Sequence, residues 1–486
     1  MCAKIISFTN DKDKFFLFPP AILCFAQILY IYANNYPNIP ASSTAYTSLV
    51  YITVTIILTF LIKYFTNSWS KANTISITLI LFEFHFFSVK RFLQSSLEDY
   101  FELSGILIFS FIAIAIILLI ALSNRNNFLI SPLFASIFSF TLIGFSSITI
   151  IKKHSQAFSA PQQDLSIKKK TKPNITVIVL DQYAGEESLK SYFNFDNSKF
   201  IHEMKSISFE YVEKTRSTYN LTTYSMASFF NMETLDVSGN ISYQFENQMN
   251  AFEIINNNRF VTFLKKNNYK IYNHSIFPFS NIPATYGYTP LIVGMDLLNY
   301  HTTSQIIFRN IINTLYEKEL FGFNMKSLQK KWIKYQYEHI NETKLAFKNF
   351  RSDKPTFIYL HLIVPHYPYL MDSNGNPNDP YKMNDKQDKS LYIEYLKYGN
   401  SIVIPLLKEL DKYDENAITL VLSDHGYYYF DKPTKEGIEF NNILFTKGIK
   451  KKIPDSTSTQ NILPYVMDFI FDSTFKKTKD TSIFLQ

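Results

Sequence analysis

The chain is 486 residues long and 47% hydrophobic, with a net charge of +7 and two cysteines. That charge is too modest to argue for nucleic-acid binding, and no RNA- or DNA-binding motif accompanies it. Both cysteines, Cys2 and Cys24, lie before or within the first apolar run, so the remainder holds no disulfide, no thiol nucleophile and no cysteine-rich zinc site.

The apolar residues crowd toward the N-terminal end. Runs near the ~20 residues needed to cross a bilayer occupy residues 15–31, 47–64, 75–92, 103–122 and 128–151. An N-terminal α-helical transmembrane bundle of about five spans is therefore expected over residues 1–152. The first run has the length of an uncleaved signal-anchor, and Cys2 follows no signal sequence that would make it a lipoprotein cysteine. An odd number of spans puts the two ends of the bundle on opposite sides. Lys4, Lys12, Lys14, Lys63, Lys71 and Arg125 fall on one side, and Lys90, Arg91, Lys152 and Lys153 on the other. Charge alone does not set the orientation. The third run contains LFEFHFF and places Glu83 and His85 at membrane depth. There an ionisable residue either serves function or pairs with a neighbouring helix.

Residues 153–172 read as a polar linker or interfacial segment, with a run from Lys168 to Lys170. Such a run suits anionic headgroups or a solvated connection equally. From residue 173 onward, short apolar runs alternate with helical stretches. Strands are expected at NITVIVL, near Phe209, at YKIYNHSI, at PTFIYLHLIV, and over residues 417–422 and 442–446. Helices are expected over residues 198–206, 222–232, 261–266, most of 304–349, 390–412 and 461–471. Strands alternating with helices indicate an α/β domain with a mostly parallel central sheet over residues 173–486. In such sheets the site lies beyond the carboxyl ends of the strands. Asp181, His366 and Asp424 all fall just past such ends.

NITVIVLD ends in Asp181, a carboxylate that either draws a divalent cation or caps the next helix. LVLSDHG delivers Asp424 and His425 together, a pair suited to a hard-to-borderline metal. Neighbours on an extended strand face opposite ways, so the two share one ion only if the chain turns, which Gly426 permits. TYNLTTYSMASFF offers the hydroxyls of Thr222, Thr223, Ser225 and Ser228. A hydroxyl becomes a nucleophile only with a base or a metal, and a helix N-terminus adds N–H donors for an anion. The alternative is that Thr222 or Thr223 caps the helix. In YLHLIVPHYPY, Pro365 stops the strand and places His366 in a loop over the site. There it can bind a phosphoryl oxygen or shuttle a proton. His361 reads as a core histidine, and His274, at the end of YKIYNH, as a weaker site candidate.

Taken in order, PNITVIVLD, TYNLTTYSMASF, IYLHLIVPHYPY and LVLSDHG resemble the alkaline phosphatase–sulfatase superfamily. Within it they look like the membrane-anchored sulfatase-like hydrolases and transferases, including phosphoethanolamine transferases and lipoteichoic acid synthases. The resemblance implies a sulfatase-like fold for the C-terminal domain. It also implies that Asp181, Thr222, Asp424 and His425 hold metal, that Thr222 is the nucleophile, and that His366 contacts the transferred group. Thr223, Ser225, His274 and Asn442 are then the substrate-binding candidates. The implied cofactor is one or two divalent ions, zinc or manganese, with magnesium or calcium as alternatives. The implied reaction moves a phospho-headgroup from a membrane lipid donor to an envelope glycan or lipid acceptor through a phospho-threonine, with no nucleic acid involved. The implied location is a bacterial cytoplasmic (inner) membrane, multi-pass, with the catalytic domain extracytoplasmic or periplasmic. A membrane-anchored phosphodiesterase, phosphatase or sulfatase-like hydrolase is the alternative enzyme, and a non-catalytic envelope scaffold the alternative of another class. The chain departs from the family pattern in four ways. Asp181 stands where phosphoethanolamine transferases usually have Glu. Thr222 stands where sulfatases carry the Cys or Ser that becomes formylglycine, and no Pro and Arg pattern follows it, which excludes formylglycine. No disulfides brace the nucleophile loop. No histidine follows His425, leaving Glu439, Asn441 or Asn442 to fill that space.

Overall fold

The structure is a computed structural model of the chain. It describes residues 18–34, 41–96, 130–158, 172–235, 245–279 and 302–485, apart from positions 431 and 473, with a few isolated positions between these segments. The elements run α1 (Phe18–Asn34), α2 (Ala41–Thr66), α3 (Trp69–Ser96), α4 (Ile130–Phe158), β1 (Ile175–Leu180), α5 (Glu186–Ser191), α6 (Ser198–Ser206), β2 (Glu210–Tyr211), α7 (Thr222–Asn231), α8 (Phe245–Asn256) and α9 (Arg259–Lys266). They continue with β3 (Lys270–His274), α10 (Thr303–Glu317), α11 (Met325–Phe347), β4 (Thr356–Leu362), α12 (Lys389–Asp411), β5 (Ile418–Leu422), β6 (Leu444–Lys447) and α13 (Thr459–Phe471). The expected strands and helices all appear; α5 and α8, which are short or weakly patterned, were not anticipated.

The chain divides into two units. One comprises Met1–Pro161 with Leu291–Leu315, the other Gln162–Pro290 with Tyr316–Gln486. In the first unit, helices cover four of the expected apolar runs; the run at 103–122 lies largely outside the described residues. Among the described residues, two segments are long and apolar enough to cross a membrane, Ala41–Thr66 and Pro132–Lys152. Of the about five expected spans, two are thus supported among the described residues; α1, 17 residues long, and α3, which carries Lys71, Glu83, Lys90 and Arg91, fall short of the same measure. The α2 helix is inside out relative to a soluble helix. Its buried positions are Thr44, Thr47, Ser48, Thr55 and Thr59, while Leu49, Ile57, Leu61 and Phe65 are exposed. Small hydroxyl residues let helices approach closely and bond across, as Thr59 Oγ1 and Ser76 Oγ do at 2.8 Å.

The second unit is built on a six-stranded sheet of order β2-β6-β5-β1-β4-β3. The β5, β1, β4 and β3 strands run parallel, β6 adds antiparallel to β5, and β2 pairs antiparallel with β6 at the edge. The sheet is thus mixed and mostly parallel, as expected from the strand and helix alternation. β1 is central and buried at every position, which is why it reads as an unbroken apolar run rather than an alternating one. Register then does the positioning. Val179 lies opposite His361 on β4 and Leu422 on β5. Two residues farther along, Asp181 and Asp424 leave the sheet side by side.

Candidate metal centre and nucleophile

Asp181 follows the last residue of β1, and its backbone N–H donates to the Leu362 carbonyl at 3.0 Å. Gln182 then takes a left-handed conformation, φ +63°, and the turn is fixed from three sides. The Gln182 N–H donates to Asp424 Oδ1 at 2.8 Å, the Tyr183 N–H donates to Ser423 Oγ at 2.8 Å, and the Tyr392 hydroxyl donates to the Gln182 carbonyl at 2.9 Å. On the neighbouring strand end, Ser423 Oγ donates to the His425 carbonyl at 2.6 Å. Past Leu422 the chain leaves the strand, so Asp424 and His425 both reach one site. Gly426 is needed there for closeness rather than for its torsion: a Cβ would stand 2.1 Å from the Ile438 carbonyl oxygen.

Asp181, Asp424 and His425 form a buried group whose ligand atoms lie within 4.8 Å of one another. Each has one atom held by the protein and another left over. Asp424 Oδ1 accepts from Gln182, while its Oδ2 is buried without a hydrogen-bond partner. His425 Nδ1 lies 2.7 Å from the Gly426 carbonyl. A carbonyl only accepts, so Nδ1 carries the proton and Nε2 presents a lone pair. That Nε2 is 3.3 Å from Asp424 Oδ2 and 3.2 Å from Thr222 Oγ1. Asp181 Oδ1 is also buried without a partner. Two buried carboxylate oxygens without a donor, Asp181 Oδ1 and Asp424 Oδ2, are costly, and a divalent cation resolves them; the ligand set of two carboxylates, an imidazole and a hydroxyl fits one.

His361 has a larger place than a core residue. It shares the face of Asp181 because Val179 is its partner in register and Asp181 lies two residues on. Burial pushes the Tyr359 phenol well above its ordinary value, so it stays neutral and donates to His361 Nδ1 at 2.9 Å. His361 Nε2–H then faces Asp181 Oδ2 at 3.4 Å. Burial alone would raise the Asp181 carboxyl. Interactions with His366, then His361 and His425, outweigh burial and hold it below the usual carboxylate range. No signal in YLHLIVPHYPY reveals the role of His361, because only the β1–β4 register shows which face it takes.

Thr222 is the first residue of α7 and is half-buried. The capping alternative is not what the structure has: Leu221 is the N-cap, with no side-chain cap bond. The hydroxyl of Thr222 is therefore turned to His425, beside the N–H groups of the first helical turn. Ser225 is fully buried, and its Oγ donates to the Asp424 carbonyl at 2.5 Å, tying α7 to the end of β5. Thr223 is buried next to Thr222. Asn442 Nδ2 donates to the Ser423 carbonyl at 3.0 Å. Asn441 accepts from the Gly185 and Ser188 N–H groups, and the Glu439 carbonyl accepts from the Gly426 N–H at 2.9 Å. Asn442 and Glu439 thus brace the Asp-His-Gly turn, while Asn441 holds the start of α5. His366 is half-exposed beyond β4, with its Nδ1–H on the Tyr367 carbonyl. His274 is not in the Asp-Asp-His group; its Nδ1 lies 3.5 Å from Glu342 on α11.

No curated protein is detectably similar in sequence. Among solved structures, the chain is similar to the C-terminal periplasmic domain of EcEptC from Escherichia coli in complex with Zn (TM-score 0.40, 10% identity, 67% of this chain and 93% of that one). It is also similar to the lipoteichoic acid synthase LtaP from Listeria monocytogenes (TM-score 0.36, 10% identity, 68% and 79%). A third is a protein of the alkaline phosphatase superfamily from Vibrio parahaemolyticus (TM-score 0.36, 13% identity, 63% and 68%). The Sulfatase family profile matches residues 173–472, more than half of the chain and every residue of the Asp-Asp-His-Thr site. With that match over a site of this geometry, the chain belongs to the sulfatase family.

Proposed function

We propose that this protein is a metal-dependent phosphotransferase of a bacterial envelope membrane, moving a phospho-headgroup from a lipid donor to an envelope glycan or lipid by way of a phospho-threonine. The observation that carries the reading is the position of Thr222 Oγ1, 3.2 Å from His425 Nε2 at the uncapped start of α7. Asp181, Asp424 and His425 would hold a divalent cation, zinc or manganese, which when bound supplies Lewis-acid stabilisation of a hydroxyl nucleophile and of phosphoryl oxygens. Thr222 Oγ1 forms a bond to phosphorus as the bond from phosphorus to the lipid alcohol breaks. The hydroxyl proton ends on the departing oxygen, and we assign its transfer to His366. The first N–H groups of α7 stabilise the phosphoryl charge. An acceptor hydroxyl then attacks the phospho-threonine, and Thr222 leaves with its proton restored.

The N-terminal unit keeps a lipid donor and the enzyme in one phase. We assign it to the cytoplasmic membrane, with α1, α3 and the 103–122 run as further spans and the sheet domain extracytoplasmic. The exposed apolar faces of α2 and α4 support membrane residence. Mass spectrometry of the purified protein tests the chemistry. A headgroup-phosphate adduct on the peptide containing Thr222, absent from Thr222→Ala, is expected. An adduct discharged only by water, never by an acceptor, makes the protein a hydrolase. Turnover surviving in Thr222→Ala removes the reading.

A further inference from the structure

Glu83 is an ionisable residue of the first unit that the chemistry above leaves unused. Its carboxylate accepts from the Tyr51 hydroxyl at 3.2 Å, the Ser304 N–H at 3.1 Å and the Ser304 hydroxyl at 2.5 Å. Beside it, Thr303 Oγ1 donates to the Phe82 carbonyl at 2.8 Å. Thr303 and Ser304 open α10, so Glu83 caps that helix with a negative charge where backbone N–H groups lack partners. The bond spans 221 residues of sequence. Accordingly, Leu291–Leu315 groups with the N-terminal helices and not with the sheet.

The level of this contact follows from α2 and α3, which run antiparallel: Thr59 meets Ser76, and Tyr51 meets Glu83. The exposed apolar side of α2 begins at Tyr46. Tyr51 lies about 8 Å farther along the axis, at a helical rise of ~1.5 Å per residue. The α10 helix thus starts just inside one edge of an apolar belt. Its 15 residues reach about 22 Å, short of the ~30 Å hydrocarbon core, so it cannot cross. Ile307, Phe308 and Ile311 share one face and are 43%, 56% and 52% exposed. Asn313 is exposed on the opposite side. A stripe of three side chains is too small for a stable dimer interface. The belt on α2 beside it has the same chemistry and needs the same cover.

We propose that residues 303–315 form an interfacial helix lying in the headgroup–acyl boundary, on the side where α2 begins, with Ile307, Phe308 and Ile311 in lipid and Glu83 as its anchor. The inference rests on reading the first unit as a membrane domain. The test uses the full chain with Cys2 and Cys24 replaced by serine and single cysteines introduced at Phe308, Ile311, Asn313 and, as a reference on α2, Leu58. Each carries an environment-sensitive fluorophore in phosphatidylcholine–phosphatidylglycerol vesicles. Brominated acyl chains should quench positions 58, 308 and 311 at least twofold more than position 313, which aqueous iodide should quench. Adding Glu83→Ala should at least halve the lipid quenching at position 308 and leave position 58 unchanged. Lipid quenching at 58 with only iodide quenching at 308 and 311 overturns the interfacial helix. Quenching at 308 and 311 by neither agent also overturns it, because protein then covers the face. Absence of lipid quenching at position 58 removes the membrane reading itself.

Discussion

Two clusters in the sheet domain are made of the same side chains and do different things. Asp181, Asp424 and His425 meet at the ends of the central strands, with His361 behind Asp181. At the sheet edge, His274 and His339 flank Glu342 at 3.5 and 3.6 Å. In the first cluster the carboxylates are buried, and the protein holds one atom of each ligand while aiming another at a shared point. In the second, the Glu342 side chain is 51% exposed, so water competes for its charge and the buried imidazoles only border it. Residue types alone do not make a metal centre; a fixed outer atom and an unsatisfied inner one do.

The largest effect expected from breaking this contrast is chemical. Thr222→Ala should lower phosphoryl transfer by on the order of 10³-fold or more while the thermal transition stays within a few degrees. Asp424→Asn should lose bound metal on dialysis, read by elemental analysis, whereas Glu342→Gln should keep it; equal loss in both would erase the distinction drawn above. Next comes the support behind Asp181. His361→Gln, and less strongly Tyr359→Phe, should weaken metal binding by roughly 10–100-fold in calorimetric titrations. An unchanged affinity would return His361 to the core.

Smaller still is a pH effect at the edge cluster. Burial pushes His274 and His339 below the ordinary histidine value, and half-exposed Glu342 does not offset it. A depressed histidine binds its proton more readily when unfolded. The stability it contributes is therefore complete above about pH 6.5 and is lost as pH falls through the lower folded values. Melting temperatures between pH 8 and 5 should decline less in His274→Gln and His339→Gln than in the parent chain. Parallel declines would mean that these imidazoles do not titrate on unfolding.

The strands bearing Asp181 and Asp424 were legible because apolar β-branched runs ending in a carboxylate declare themselves locally. The site was legible to the extent that its residues end such runs. His361 was not, since its face depends on pairing with β1 across 182 residues, from Val179 to His361. Ser225 and Asn442 looked like substrate ligands because a hydroxyl and an amide near a site read the same whether they face a ligand or a backbone carbonyl. Their hydrogen bonds to Asp424 and Ser423 give them a bracing place. Gly426 suggested a turn, and the constraint proved to be the backbone of Ile438 pressed against it.

Composition and periodicity by themselves determined an apolar N-terminal region, an α/β domain from residue 173, and the pairing of acidic strand ends with an Asp-His-Gly turn. Tertiary structure decided which imidazole stands behind Asp181, that Thr222 faces His425, and that α10 returns to Glu83 in the first unit. The reason is range. Hydrophobic period is a property of neighbouring residues, whereas strand register and a cap supplied 221 residues away exist only once the chain has closed on itself.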